Sequence, residues 1–194
     1  MKFTATENSE ISNMGDSELW NELKKSNPDA LHVLFYRYYN DLYFYGTKLV
    51  NDNNLIIDTI QDLFSNLWEN KKRLSDVQHI KAYIFQIFRN NLLKASQKNI
   101  GFFSFMDISK MPEKEFVLSQ EDAIIEQETR SQISKTITAV LEELTDKQKE
   151  ILYLKFYCNL SNTEICQTLS INKQSVSNLL NRSINALRKK MKNH

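Results

Sequence analysis

The segment that begins at Leu160 constrains the fold of this chain more than any other part of the sequence. Ser161 is suited to cap the N-terminus of a helix, and Glu164, three residues later, completes a capping box. Asn172 is placed to cap a second helix soon after the first one ends. Two short capped helices joined by a tight turn are typical of a helix-turn-helix motif.

Basic charge is concentrated in this same segment. Residues 161–194 contain six lysines and arginines and one acidic residue, a net charge of +5, whereas the whole chain carries only +1. A helix that enters a DNA groove needs positive charge beside the phosphates. The distribution therefore favours nucleic acid as the partner of this segment.

The second helix of the motif has two different faces at the α-helical period. Its inward stripe is apolar or small and consists of Val176, Leu180, Ser183, Leu187 and Met191. The outward residues are mostly amides and bases, which suit base edges and phosphates in a major groove. The candidate DNA contacts on this face are Lys173, Gln174, Ser177, Asn178, Asn181, Arg182 and Lys189. A merely polar surface helix is the alternative.

The composition predicts an all-α protein and argues against most other classes. Only three glycines and two prolines occur among 194 residues, and no G-x-G phosphate loop is present. No run reaches the roughly eighteen apolar residues of a membrane span, and the polar N-terminus does not resemble a signal peptide. Cys158 and Cys166 lack a CxxC pattern or a nearby histidine, so reduced thiols are a better interpretation than a zinc site. We expect a cytoplasmic protein without a metal or a cofactor.

Hydrophobic spacing predicts two small helical domains joined by a flexible acidic linker. Residues 1–15 are interpreted as a disordered tail, and residues 16–98 hold four stretches with apolar residues three or four apart. Residues 99–130 have seven acidic and three basic residues and form the linker. Residues 131–194 form the second domain, which ends in the helix-turn-helix. Beyond the first domain, helices are expected over about 121–143, 145–157, 161–169 and 172–191.

The first domain is itself divided by charge. Residues 16–70 hold nine acidic and four basic residues, a net charge of −5, whereas residues 71–98 hold seven basic residues and one acidic residue, a net charge of +6. One part therefore suits a basic protein surface, and the other suits nucleic acid. Ordinary solvated helix faces are the alternative explanation of either run.

The region from Leu141 to Val176 resembles the promoter-binding domain of extracytoplasmic-function (ECF) sigma factors, which belong to the sigma-70 family. Thr145 stands where that family often has proline, and Ser170 stands at its common turn glycine. Other bacterial activators carry a similar helix-turn-helix, so this half alone is similar to more than one class of regulator.

Residues 58–68 resemble a second part of the same family. They fit the pattern D-x-x-Q-D-x-F-x-x-x-W of the sigma-factor helix that binds the clamp helices of core RNA polymerase. By this resemblance Phe64 and Trp68 anchor the helix in its own core. The implied polymerase contacts are Asp58, Gln61, Asp62 and Asn66. Paired carboxylates also suggest a metal or catalysis, but no histidine or third carboxylate follows at helical spacing to complete such a site.

Residues 83–98 resemble the sigma-factor helix that, with the loop before it, holds the melted strand of the −10 element. The resemblance implies that one base is flipped into a pocket and that the loop 73–78 sets specificity. Amides suit splayed bases, and lysine or arginine suits the backbone. The implied contacts are Arg73, Asp76, Gln78, Tyr83, Asn90 and Lys94. For Tyr83, packing in the core is the alternative to stacking on a base.

Together these matches imply a transcription initiation factor rather than an enzyme. Such a sigma subunit binds core RNA polymerase, recognises the −35 and −10 elements and assists DNA melting. The implied partners are core RNA polymerase, promoter DNA and an anti-sigma factor, with no small-molecule substrate and no membrane insertion. Two alternatives stay open: a free-standing helix-turn-helix regulator, and an all-α protein-interaction module that shows no salt-dependent DNA binding.

Overall fold

The structure is a computed structural model that describes residues 11–96 and 144–191. Within these ranges every regular element is helical, with the bounds Asp16–Lys24 (α1), Pro28–Leu49 (α2), Asn53–Glu69 (α3), Ile80–Ala95 (α4), Asp146–Leu152 (α5), Asn162–Leu169 (α6) and Lys173–Met191 (α7). A 3-10 turn, Lys71–Arg73, follows α3, and a π-helical turn, Tyr153–Tyr157, continues α5. The prediction of an all-α fold that ends in a helix-turn-helix is confirmed. The predicted linker, 99–130, and the helix expected over 121–143 lie outside the described residues.

Residues 11–15, predicted as the end of the tail, pack against the first helices. Residues 11–13 form a helical turn, and Arg37 of α2 donates to two backbone carbonyl oxygens of this segment at 3.4 and 2.8 Å. The same guanidinium pairs with Asp16 at 2.6 Å, and the buried hydroxyl of Tyr38 also donates to Asp16. Burial and this carboxylate raise the pKa of Tyr38, so its hydroxyl stays neutral and keeps donating. These bonds fix the start of α1 against α2.

Five of the described helices begin at side-chain caps, and the sequence analysis predicted the caps at Ser161 and Asn172. In each case a side-chain oxygen accepts a hydrogen bond of 2.8–3.4 Å from a backbone amide of the first turn: Asn27 before α2, Asp52 before α3, Thr145 before α5, Ser161 before α6 and Asn172 before α7. Glu164 accepts in return from the amide of Ser161 at 2.8 Å, which completes the predicted capping box. Each such cap contributes about 1 kcal/mol to helix stability.

The first half of the chain is organised around α2. This helix packs against α1, α3 and α4, and its buried residues recur at the helical period, as the apolar pattern predicted. Phe85 and Phe88 of α4 bring two completely buried rings to the same core. Because burial of one large apolar side chain stabilises by about 1.5–3 kcal/mol, these residues determine which helix faces turn inwards.

Gly46 allows α2 to approach α3 and α4 closely. A Cβ atom added at this glycine would lie 2.8 Å from Cγ2 of Ile56 and 3.0 Å from Cζ of Phe88. Both neighbours are completely buried, so neither has space to move aside. The close crossing of these helices therefore requires glycine at this position.

Two helices end in a residue with left-handed backbone geometry. Ser26 follows α1 with φ 69°, and Ser170 follows α6 with φ 53°. In each case this residue and the next one donate to carbonyl oxygens of the last turn at 2.9–3.2 Å, which forms a Schellman motif. Ser170 therefore adopts the left-handed conformation that glycine most often supplies at the end of a helix.

The two predicted helical units share one continuous hydrophobic core in the structure. α4 packs against α6, and the hydroxyl of Thr168 on α6 donates to the carbonyl oxygen of Ala82 at 3.5 Å. The ring of Tyr45 on α2 stacks on Tyr153, with 6.0 Å between ring centroids. The sequence predicted two units and a linker but gave no indication of this contact between them. The predicted domain boundaries stay a prediction.

We expect Gly46→Ala to lower the free energy of unfolding by about 1–3 kcal/mol, because the added methyl overpacks the helix crossing. Urea denaturation of the purified chain measures this loss. The control is the double variant with Ile56→Ala, which removes the atoms that the methyl would strike. The double variant should lose less than the sum of the two single losses; strictly additive losses would show that the contact at Ile56 is not the cause.

We expect Ser26→Gly to raise the free energy of unfolding by about 0.5–1 kcal/mol, because glycine adopts a positive φ without a steric penalty. Thermal or urea denaturation detects a change of this size. Ser26→Ala is the matched control, since alanine keeps the Cβ atom and should give no gain. Equal stabilisation by alanine would contradict the explanation from backbone geometry.

Candidate protein and nucleic-acid interfaces

One face of α3 presents all four residues predicted to contact the polymerase. Asp58, Gln61, Asp62 and Asn66 are exposed, whereas the opposite face of the helix is buried. The side-chain amide of Asn66 donates to the backbone oxygen of Asp62 at 2.7 Å, which orients one end of this row. The arrangement gives an exposed surface of carboxylates and amides, suited to hydrogen bonding with a basic partner.

Trp68 departs in part from the prediction that both aromatic residues of α3 are core anchors. Phe64 is buried, but Trp68 is only partly buried. It lines an open apolar groove of about 420 Å³ between α2 and α3, together with Leu31 and Phe35. The ammonium of Lys71 lies 4.0 Å from the centroid of the Trp68 ring, a cation–π contact. The groove adjoins Gln61, so the exposed face of α3 has an apolar border that the sequence analysis missed.

The loop before α4 is held by α1, a second feature that the sequence analysis missed. Arg73, Asp76 and Gln78 are exposed along the loop, as their predicted role requires. The indole N–H of Trp20 donates to the carbonyl oxygen of Ser75 at 3.1 Å. Lys24 pairs with Asp76, and its hydrogen bond and charge lower the pKa of that exposed carboxyl.

The outer face of α4 presents Asn90 and Lys94 to solvent. Tyr83 was predicted either to stack on a base or to lie in the core. Its side chain is half-buried, so part of the ring packs inside and part remains accessible. Its ring meets Trp20 edge-on, with 5.6 Å between centroids and 82° between planes. The loop, α1 and the outer face of α4 therefore form one surface that combines exposed polar groups with a braced aromatic ring.

α7 has the two faces that the sequence predicted. Val176, Leu180 and Ser183 of the inward stripe are buried, and Ser183 donates to the carbonyl oxygen of Leu179 at 2.7 Å. Six of the seven candidate DNA contacts are exposed: Lys173, Gln174, Asn178, Asn181, Arg182 and Lys189. Ser177, the seventh, is half-buried. Gln174 donates to the side-chain oxygen of Asn178 at 3.2 Å, so two amides on this face are already aligned.

A buried polar network joins the two halves, and the sequence analysis did not identify it. Oε1 of Glu150 on α5 accepts from the hydroxyl of Tyr45 at 2.6 Å and from Nε of Arg89 at 2.8 Å. Oε2 accepts from Nη2 of Arg89 at 3.2 Å. The Glu150 residue is only 5% exposed. One sequence signal could have indicated this network: Glu150 lies four residues before the apolar Leu154 and so on the same helix face. A charged residue on a buried face needs a partner.

The pKa values of the partners agree with this pairing. Burial, followed by the charge of Glu150, raises the pKa of Tyr45 well above its ordinary value, so the phenol remains a donor. Burial opposes the charge of Arg89, but its hydrogen bonds and ion pair with Glu150 prevail and raise the pKa of the guanidinium. The network is therefore a charged pair with one neutral donor.

No group of three or more histidine, cysteine, aspartate or glutamate side chains in residues 11–96 and 144–191 is placed to hold a metal ion. Among the described helices, none is long and apolar enough to cross a membrane.

Comparison with known proteins gives matches to both halves. Residues 134–187 match the family model described as sigma-70, region 4. The RNA polymerase sigma factor SigZ of Bacillus subtilis (strain 168) is 26% identical over 139 residues, which cover 71% of this chain and 73% of SigZ. The ECF RNA polymerase sigma factor SigM of the same strain is 22% identical over 161 residues, which cover 79% of this chain and 90% of SigM.

Two solved structures share the fold. CnrH, solved in complex with the cytosolic domain of CnrY, superposes with a TM-score of 0.59 at 16% identity, covering 91% of this chain and 97% of that chain. The sigma factor RpoE from Bartonella quintana, solved in complex with the anti-sigma factor NepR, gives a TM-score of 0.51 at 16% identity. The match covers 79% of this chain and 91% of the RpoE chain. The similarity therefore extends beyond the helix-turn-helix.

Proposed function

The chain belongs to the ECF group of the sigma-70 family, and we propose from this premise how its surfaces act in transcription initiation. The protein is a sigma factor that directs RNA polymerase to promoters, and it is not an enzyme. The observation that carries the proposal is a separation of faces. The residues assigned to the polymerase lie exposed on α3, and nearly all those assigned to the −35 element lie exposed on α7.

The exposed face of α3 is the proposed contact with core RNA polymerase. Asp58, Gln61 and Asp62 offer carboxylates and an amide to a basic or hydrogen-bonding surface, and Asn66 extends the row. The apolar groove beside Gln61 adds a border that a partner side chain can enter. This combination of an apolar pocket and a polar rim is common in protein interfaces.

The exposed face of α7 is the proposed contact with the −35 element. Gln174, Asn178 and Asn181 carry amides that pair with base edges in a major groove. Lys173 and Lys189 suit phosphates near the two ends of the helix. Arg182 lies between them, where a guanidinium can make two parallel hydrogen bonds to guanine.

The loop 73–78 and the outer face of α4 form the proposed site for the −10 element. Arg73 and Lys94 suit the backbone of a melted strand, and Gln78 and Asn90 suit its bases. Asp76 and Tyr83 are each braced by α1, through Lys24 and Trp20. Unstacking a base costs a few kcal/mol, which capture of that base and contacts to the backbone offset.

An anti-sigma factor is a further proposed partner, and the cytoplasm is the proposed site of action. The support is the fold shared with two proteins whose structures were solved as complexes, one of them with an anti-sigma factor. RNA polymerase and chromosomal DNA are in the bacterial cytoplasm, where a sigma factor must meet them.

Reconstitution with bacterial core RNA polymerase tests the function as a whole. We expect the chain to co-elute with core enzyme and to direct new transcript starts on a pool of genomic fragments. The starts should share a two-part promoter. DNA binding without polymerase binding would instead support the free-standing regulator, and loss of both activities would support the protein-interaction module.

We expect Asp62→Ala to weaken binding to core polymerase without loss of stability, because the carboxylate is exposed and belongs to the proposed contact face. Loss of one such contact costs on the order of 1–3 kcal/mol in affinity. A binding titration against labelled core enzyme measures the change. Asp62→Glu, which keeps the charge, is the matched control and should retain more affinity than alanine. Wild-type affinity and transcription in Asp62→Ala would remove this residue from the interface.

We expect Arg182→Ala to weaken promoter binding and to relax the preference at one −35 position, with a loss of about 1–3 kcal/mol for a base contact. Lys189→Ala is the comparison variant, because a phosphate contact should weaken binding to all sequences equally and reduce the salt slope by about 1. Binding to a set of single-base promoter variants at several salt concentrations separates these effects. A uniform loss in Arg182→Ala would assign Arg182 to the phosphates.

A further inference from the structure

The arrangement of the two halves is incompatible with simultaneous contact to both promoter elements. Elements named for positions −35 and −10 are about 25 base pairs apart, or roughly 85 Å along B-DNA at 3.4 Å per base pair. α7, with 19 residues, is only about 28 Å long. It packs on α6, and α6 packs directly on α4. The proposed −35 and −10 surfaces must therefore separate before a promoter is engaged.

The contact between the halves covers one cationic strip of α4, formed by Lys81 and Arg89. Arg89 pairs with Glu150 of α5, and its side chain is 17% exposed. The ammonium of Lys81 donates to the carbonyl oxygen of Cys158 at 2.7 Å and lies 3.2 Å from Asp41. Both basic side chains are thus bound to oxygen acceptors of the second half. They belong to residues 71–98, the segment that carries a net charge of +6.

The helix-turn-helix takes part in the same contact through its turn. Ser170, between α6 and α7, accepts a hydrogen bond from the side-chain amide of Gln86 on α4 at 3.1 Å. In helix-turn-helix proteins the first helix crosses the DNA backbone beside the turn. In the closed arrangement α4 therefore covers the turn and the first helix of the motif, the side that this docking mode turns towards the DNA backbone.

We propose that Lys81 and Arg89 form a further binding site for the DNA backbone, and that Glu150 occupies it in the closed arrangement as a substitute for phosphate. The carboxylate accepts two hydrogen bonds from the guanidinium, the geometry that a phosphate adopts with arginine. The closed chain therefore blocks its own DNA site until the halves separate. This inference rests on the proposed function, because it assigns the strip to the strand that α4 holds.

Glu150 is a suitable position at which to test this switch. Its carboxylate accepts hydrogen bonds from Tyr45 and Arg89, both in the first half, so its substitution acts on the contact between the halves. Glu150→Gln leaves the Arg89 charge half-buried without its counter-charge, and hydration of that charge favours the open state. Arg89→Gln also breaks the pair, but it removes the proposed phosphate-binding group.

Small-angle X-ray scattering of the full chain measures opening without reference to DNA. We expect a larger radius of gyration for both Glu150→Gln and Arg89→Gln. Asp146→Asn, which removes one acidic charge from the first turn of the same helix, should keep the wild-type value. Tyr45→Phe removes one hydrogen bond but keeps the ring stack, and it replaces Glu150→Gln if that variant does not fold. Wild-type dimensions in every folded variant would overturn the switch.

Fluorescence anisotropy with a labelled, mixed-sequence single-stranded oligonucleotide at low salt tests the site. We expect Glu150→Gln to bind on the order of tenfold more tightly than wild type, because the binding-competent fraction rises. Arg89→Gln should open to the same extent without this gain. An equal gain in both variants would show that Arg89 is only a latch, and no gain in an open Glu150→Gln would show that the strip does not bind DNA. Failure of the wild-type chain to bind core polymerase would instead count against the proposed function, whatever the scattering shows.

Discussion

The arrangement of this chain depends on how one carboxylate, that of Glu150, is kept out of water. An isolated buried carboxylate is strongly unfavourable unless donors replace its hydration. Here both replacement donors, Tyr45 and Arg89, come from the other half of the molecule. The burial of α5 therefore requires the presence of α2 and α4. Apolar packing, including the stack of Tyr45 on Tyr153, brings the halves together, but the carboxylate determines how they must be aligned.

α4 joins the core of the first half, the contact with the second half and the proposed −10 surface, because each of its faces has a different neighbour. Phe85 and Phe88 are buried in the core, Arg89 and Lys81 meet the second half, and Asn90 and Lys94 remain exposed. A change in the contact with the second half therefore acts on the helix that carries the proposed −10 residues. Gly46 affects the position of α4 from the core side, because it determines how closely α2 approaches Phe88 of α4.

Local chemistry was predictable from the sequence, whereas contacts between distant residues were not. The caps at Ser161 and Asn172 and the two faces of α7 follow from residue type and helical period, and the structure has them. The partial exposure of Trp68 and the bracing of the loop by Trp20 depend on which helices become neighbours. Tyr45 and Glu150 are 105 residues apart in the sequence. The helical spacing of apolar residues shows which face of a helix is buried, but it does not show which distant residue that face meets. The linker and the exact domain boundaries stay predictions.

The energy of the closed contact is compatible with a switch. Breaking a buried ion pair by removing one partner costs roughly 3–5 kcal/mol, whereas on opening both charges regain water, so the ion pair adds less than this to the cost of exposing the apolar contact. A nanomolar complex supplies about 12 kcal/mol. Binding to polymerase and DNA can therefore open the chain and still leave a stable complex, whereas the free chain, with no such compensation, stays closed. A contact made only of large apolar faces would lack this reversibility, because separation would expose apolar surface without restoring hydration to any charge.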